Sequence, residues 1–341
     1  MSPLMGIRVT ALRGCAIGSA LAAFACGGAS SAPTTPSVSQ PASPAPSAGP
    51  FAFHVSPIAV DQIRFIVPLG SLNPPGHTLP TDHIYFYVAD PSLGESGASR
   101  RTDFFAPADG TVTAVIDNGI GSDRKIYIQA TSRVQYNIDH LIPAMALAPG
   151  TQVRAGDRLG TSGASYGIDL GLTNQDVTLS GLLNLARYTP GTEHTDAPLK
   201  YFDEPLRAQL YSKVRTIGDR DGRIDHDVAG RLSGNWFGET DQAPLSFAYD
   251  TYDPSQVRIG VASGLPLAPM LFGIAATDPP PRDVSVATGL VRYTVTRAGV
   301  DGVLGHLLVQ MLDDRRIRVE LVTPPTTPVA DFSPAARTFT R

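Results

Sequence analysis

Residues 147–163 read LAPGTQVRAGDRLGTSG, and in them Leu147, Gly150, Val153, Gly156, Leu159, Gly160 and Gly163 recur almost strictly every third position. Glycine reaches positive φ without steric cost, so this spacing suits consecutive tight turns between very short strands. Forty residues earlier, Ala106-Pro107-Ala108-Asp109-Gly110-Thr111-Val112 has the form of a tight turn feeding a strand. Outward from these two segments, short runs rich in β-branched or aromatic residues alternate with Gly, Pro, Asn and Asp: 63–67, 84–88, 111–116, 125–130, 246–249, 289–295, 303–311 and 316–322. Regular short strands at this spacing predict a mostly β protein of sandwich or barrel type.

Helix is scarce. The clearest candidate begins at Asp203-Glu204-Pro205 and runs to about Val214, with acids at its start, Pro in the first turn and Leu206, Leu210 and Val214 on one face. A weaker one covers Leu179 to Arg187. The folded part therefore divides into a β-rich unit over 51–175, a partly helical connector over 176–217 and a second β-rich unit over 218–341.

The 341 residues carry 27 Lys+Arg against 31 Asp+Glu, and no basic stripe, which argues against a nucleic-acid partner. Both cysteines, Cys15 and Cys26, lie in the first 26 residues, so the rest of the chain holds no disulfide and any metal there must use His, Asp or Glu. Arg8 and Arg13 precede an apolar small-residue run, Gly14 to Ala25, of the length of a signal h-region. Its end, Leu21-Ala22-Ala23-Phe24-Ala25-Cys26-Gly27, resembles a bacterial lipobox, although Ala23 and Phe24 replace the usual Leu and small residue. That resemblance implies a signal over 1–25 and a lipidated Cys26; the plainer alternative is an ordinary secretory signal. From Ala29 to Pro50 nearly every residue is Pro, Ser, Ala or Thr, so 26–50 is expected to be a disordered tether reaching about 70 Å. The expected location is outside the cytoplasm, lipid-anchored through Cys26 to a bacterial membrane, at the outer membrane or cell surface.

The turn at 106–112 and the glycine ladder at 147–163 together resemble the core of lysostaphin-type (LytM-like) zinc metallopeptidases, which cleave peptide cross-links of bacterial cell walls. The resemblance covers roughly residues 69–173 and implies a lysostaphin-like antiparallel sheet. In that family zinc is held by a His-x-x-x-Asp motif and the last His of a His-x-His motif, while other histidines act beside the attacking water. Three protein ligands with an open fourth position are what a hydrolytic zinc needs. Here His77 and Asp82 are one residue too far apart, His83 offers an imidazole in an unfamiliar register, and His140 has the place of the upstream His. The family's His-Leu-His falls on Asp169-Leu170-Gly171, where Gly171 has no side chain to ligate with. The expectation is thus a degenerate domain with no cofactor, acting as a binding or scaffolding module for peptidoglycan or another envelope protein. The alternative is a zinc endopeptidase with ligands rearranged among His77, Asp82 and His83, and with His140 and Asp169 at the chemistry.

Other segments have plainer readings. His77 and His83 also suit hydrogen-bonded loop histidines. Asp219 to Asp227 resembles a calcium loop, but Ile224 stands where Gly is needed and Gly230 where the bidentate Glu belongs, so a turn at Asp221-Gly222 entering a strand with Ile224 and Val228 is expected. Trp236 beside Phe237 reads as a packing anchor. Residues 304–322 read as a long hairpin, with Arg315, Arg316 and Arg318 as a charged edge, and Phe339-Thr340-Arg341 as a strand pairing back. No serine-hydrolase elbow, phosphate loop or dinucleotide fingerprint is present.

Overall fold

The computed structural model describes residues 50–97, 100–163, 165–265, 269–326 and 330–341, so the signal, Cys26 and the tether lie outside the described residues. The described residues belong to one compact unit. Within it are an antiparallel sheet and a closed barrel.

The sheet is built from β1 (Phe65–Val67), β2 (His83–Tyr87), β3 (Asp103–Phe105), β4 (Gly110–Asp117), β5 (Arg124–Gln129), β6 (Val134–Pro143), β7 (Gln152–Val153), β8 (Arg158–Ser162) and β9 (Gly167–Asn174). Its order is β1-β2-β9-β6-β5-β4-β7, with β8 pairing both β3 and β6. The glycine ladder supplies β7, β8 and the turns around them. Gly150 and Gly156 take φ of 93° and 88°, as turns require, whereas Gly160 lies within β8, where an added Cβ would be 2.1 Å from Ile142 O. Strand alternation divides the central strands cleanly. Ile84 and Phe86 of β2, Tyr136 and Ile138 of β6, and Ile168, Leu170 and Leu172 of β9 enter one apolar core. Burying such side chains contributes about 1.5–3 kcal/mol each before ordering costs.

The barrel comprises β10 (Gly234–Gly238), β11 (Pro244–Tyr249), β12 (Val257–Val261), β13 (Met270–Ile274), β14 (Leu290–Arg297), β15 (Val303–Asp313), β16 (Arg316–Val322) and β17 (Arg337–Thr340). Each pairs antiparallel with the next, and β17 closes the ring on β10 through Phe237↔Thr340 and Gly238↔Phe339. The C-terminal strand predicted from Phe339 onward is therefore the closing strand. Closure also corrects one expectation: β16 lies between β15 and β17, so Arg316 and Arg318 do not sit on a free edge. Arg316 pairs with Asp313 at 2.7 Å and Arg318 lies over the Phe332 ring. Arg341 turns into the barrel end, donates to the carbonyls of Ser233, Val228 and Arg231, and lies 4.1 Å from the Trp236 ring centroid.

The connector is less helical than its pattern. The helix α1 spans only Leu206–Tyr211, because the next residues turn extended to bond with β1: Ile66 N–H donates to Lys213 O and Arg215 N–H to Ile66 O. No helix forms over 179–187 beyond a single 3-10 turn at Leu185–Arg187. Gly181 is pressed so closely against the backbone that an added Cβ would lie 2.2 Å from Asp225 O, and Leu183 N–H donates to Asp227 instead of to a helical carbonyl. The turn at Asp221-Gly222 is present, with Gly222 at φ 70°, but no strand follows it. Ile224 is buried in the sheet core while Val228 is exposed. The carboxylates of that loop serve protein donors: Asp219 and Asp227 accept backbone N–H groups, and Asp225 pairs with Arg223.

Candidate functional site

The face of the sheet opposite the core carries the polar residues. On β2 alternation places His83, Tyr85 and Tyr87 there; on β9, Asp169 and Gly171; on β6, Asn137 and Asp139. Register lines them up in two rows: His83, Gly171 and Asn137 across β2-β9-β6, and Tyr85, Asp169 and Asp139 in the row beside it. His140 interrupts the alternation. It takes φ 63°, unusual for a residue with a Cβ, and shifts the β5/β6 register so that Leu141 returns to the core. Asp139 and His140 consequently both reach the polar cluster. Such strain persists where surrounding contacts hold it: His140 N–H donates to Asp139 Oδ1 at 2.8 Å, and its carbonyl accepts from Gly163, the last glycine of the ladder.

The cluster centres on Asp169, which is almost fully buried. Its Oδ2 lies 3.3 Å from His83 Nε2 and 3.6 Å from His140 Nε2. Behind each imidazole stands another carboxylate, with His83 Nδ1 2.8 Å from Asp82 Oδ1 and His140 Nδ1 3.1 Å from Asp123 Oδ2. Acids and bases thus alternate in the chain Asp82–His83–Asp169–His140–Asp123. Asn118 Nδ2 bridges Asp123 Oδ1 and Asp139 Oδ1 at 2.7 and 2.6 Å, and Lys125 Nζ lies 3.4 Å from Asp139 Oδ2.

The electrostatics follow from burial and these pairings. Burial pushes Asp169 above the usual carboxylate range against the pull of His83 and His140. Burial pulls His140 down, but Asp169, the hydrogen bond to Asp123 and the charge of Asp139 outweigh it and hold the imidazole above its ordinary value. Asp139 and Lys125 each pay for burial and each gain more from partners, so the acid is held low and the ammonium high. His77 stands apart. Burial, then the neighbouring His83, lower it to about 4, so it is neutral at pH 7.

The structure therefore brings together His83, Asp82, Asp169 and His140 of the sequence-predicted residues, and leaves His77 at the margin, its ring centroid 5.3 Å from that of His83. His77, Asp82 and His83 do not form a ligand group. Among the described residues, the group whose ligand atoms all lie within 4.8 Å of one another is Asp123, Asp139 and His140. Asp123, Asp139, Asn118, Lys125 and Asn137 were not legible as site residues. The only local signal was the dipeptide Asp139-His140, and the others arrive by register.

One ligand of the zinc arrangement that the resemblance implies has no counterpart here, since position 171 is Gly. At Gly171, where the last ligand would stand, an added Cβ would lie 2.4 Å from Asn137 Nδ2, and the buried Asn137 Oδ1 has no hydrogen-bond partner. The Asn137 amide, the end of a rotatable side chain, lies in the space that a side chain at 171 would enter. In the close-set group found among the described residues, Asn118 bridges Asp123 and Asp139, and Lys125 lies beside Asp139. Gly171→His should therefore destabilise the fold by about 1–3 kcal/mol through overpacking. Asn137→Ala in the same chain should recover most of that loss in urea melts, a non-additivity expected of touching residues. Equal losses with and without Asn137 would show that its amide is not the obstacle.

A cavity of about 340 Å³ opens beside the cluster. His77 and Asp82 of the loop before β2, with His83 at the start of β2, form one wall; Arg187 and Tyr188 of the connector and Asn235 of β10 form the other. Tyr188 is held in place by Asn235 Nδ2, 3.0 Å from its hydroxyl.

No family model matches the chain, and no curated protein does. Solved structures do match. Lysostaphin from Staphylococcus simulans aligns over 86% of this chain and 92% of its own, at 11% identity and a TM-score of 0.32. A zinc-containing peptidase from Vibrio cholerae aligns over 37% of each chain, at 15% identity and a TM-score of 0.29. The catalytic domain of the prophage-encoded M23 protein EnpA from Enterococcus faecalis aligns over 37% of this chain and 88% of its own, at 20% identity and a TM-score of 0.25.

Proposed function

We propose that this chain is an exported, lipid-anchored envelope protein whose lysostaphin-like sheet binds peptidoglycan, or an envelope protein lying against it, without cutting it. The observation that carries the reading is Gly171 with Asn137 in its place, which removes the third ligand of a hydrolytic zinc site. Without that ligand the polar face offers hydrogen bonds. His83, Tyr188 and Arg187 line one cavity with both donors and acceptors, which suits the amides and carboxylates of a peptide. Placement in the envelope rests on the sequence alone, on the signal-like run before Cys26 and the Pro/Ser/Ala tether.

A second reading, a zinc endopeptidase with rearranged ligands, is favoured by one observation. Two Nε2 atoms converge on Asp169 Oδ2, and each imidazole is backed by a carboxylate, as metal-bound histidines commonly are. Zinc held there would supply a Lewis acid.

The experiment combines the zinc content of the purified full chain with incubation on peptidoglycan sacculi. The expected result is co-sedimentation with sacculi, no stoichiometric zinc and no release of muropeptides. One tightly bound zinc per chain, lost in His83→Ala and His140→Ala and accompanied by muropeptide release, would establish the second reading. Absence of both sedimentation and cleavage would eliminate peptidoglycan as the ligand.

A further inference from the structure

A second cavity, of about 370 Å³, lies in the seam between sheet and barrel, away from the Asp169 cluster. Four chain segments line it: the turn after β1 at Leu69 and Gly70, the loop 218–226, the β11/β12 hairpin, and Arg282 from the connection between β13 and β14. Its walls leave little freedom. A Cβ on Gly70 would lie 2.2 Å from Arg223 O, one on Gly222 2.2 Å from Leu69 O, and one on Gly218 2.4 Å from Pro254 Cγ. Thr251 Oγ1 donates to Leu69 O at 2.9 Å and ties the hairpin to the sheet. The cavity is thus a fixed feature of the seam, at the lower end of the size range of small-molecule sites.

Most of its charged groups are already engaged. Arg223 pairs with Asp225 at 3.1 Å, and Asp250 with Arg258 at 2.5 Å. Arg282 makes no ion pair among the described residues, and its guanidinium lies 5.7 Å from the Tyr249 ring centroid. Arg282 also interacts with the Tyr249 hydroxyl, which is buried and whose own proton has no acceptor among the described residues, an arrangement that costs free energy unless a ligand group or water completes it. His226 packs its ring 6.3 Å from that of Tyr249. The remaining surface from Leu69, Pro254 and the Tyr249 ring is apolar.

We propose that this seam cavity binds a small carboxylate with an apolar body, of the size of an N-acylated amino acid, its carboxylate on the Arg282 guanidinium and the Tyr249 hydroxyl. A planar guanidinium fork matches a carboxylate in two parallel hydrogen bonds. Asp219 on the same wall carries a negative charge with no cation paired to it among the described residues, so it opposes a phosphate dianion more strongly than a carboxylate monoanion. The apolar walls accept the body of such a ligand, and its carboxylate gives the Tyr249 hydroxyl the acceptor it lacks. The proposal does not depend on what the Asp169 face binds.

Calorimetric titration of the full chain tests it, with N-acetylalanine as probe and N-acetylalanine amide and inorganic phosphate as controls. N-acetylalanine should bind saturably at one site, with the amide and phosphate at least about tenfold weaker. Arg282→Ala, at an exposed position, should melt as the parent does and weaken the carboxylate by about tenfold or more, with Tyr249→Phe giving a smaller loss. Equal binding of acid and amide, equal binding of phosphate, no saturable binding at about 10 mM, or full affinity in Arg282→Ala would each overturn the assignment.

Discussion

Asp227→Ala should lower the stability of the protein by about 3–5 kcal/mol, read as an earlier urea midpoint with unchanged slope. Asp227 is buried, and its two oxygens bind different parts of the chain. Oδ2 accepts from Leu183 N–H of the connector at 2.8 Å, and Oδ1 accepts from Asn235 N–H of β10 at 2.6 Å. The Tyr188 hydroxyl and the charge of Arg341 also favour the ionised carboxylate, although burial still holds its pKa above the ordinary range. Removing the side chain orphans two backbone donors away from water, each at about 1–3 kcal/mol. It also leaves the buried Arg341 without its nearby acid. Asp227→Asn keeps one acceptor oxygen and should cost less than the alanine change. A loss below about 1 kcal/mol for Asp227→Ala would show that water replaces both bonds.

Trp236→Ala should cost a comparable amount, about 3–5 kcal/mol, from the transfer of a large buried side chain and the cavity left behind. Trp236 is fully buried within the barrel, its Nε1–H donates to Leu232 O at 2.8 Å, and Arg341 covers its ring. Trp236→Phe retains an aromatic ring and removes the donor, so it should cost closer to about 1–2 kcal/mol. If the two substitutions destabilise equally, the hydrogen bond and not the packing dominates at this position. Both measurements belong in the full chain, where β17 closes the barrel and holds Arg341 over the ring.

Particular elements explain how far the sequence could be read. The glycine ladder was legible because positive φ is a local requirement, met at Gly150 and Gly156 whatever lies around them. The hairpin over 304–322 was legible because alternation on both sides of Asp313-Asp314 is also local. The helix expected over 179–187 and the strand expected after Gly222 were not decided locally. Gly181 is pressed against Asp225 O, and Ile224 leaves any strand path to enter the sheet core.

The sequence alone determined that the chain is mostly β, that its thiols are confined to the first 26 residues, and that position 171 offers no ligand. Each follows from residue identity or short-range pattern, which no tertiary contact alters. Tertiary structure decided the composition of the polar face. Asp169 meets His83 and His140 because β2 and β6 flank β9 in a fixed register, and a left-handed His140 re-aims two consecutive side chains. It also decided that the Asn137 amide lies beside Gly171 and that Arg282, which makes no ion pair among the described residues, lines the seam cavity. These depend on pairings between residues far apart in the chain. A one-residue change of register would turn every side chain to the opposite face, and no spacing within a single segment specifies that choice.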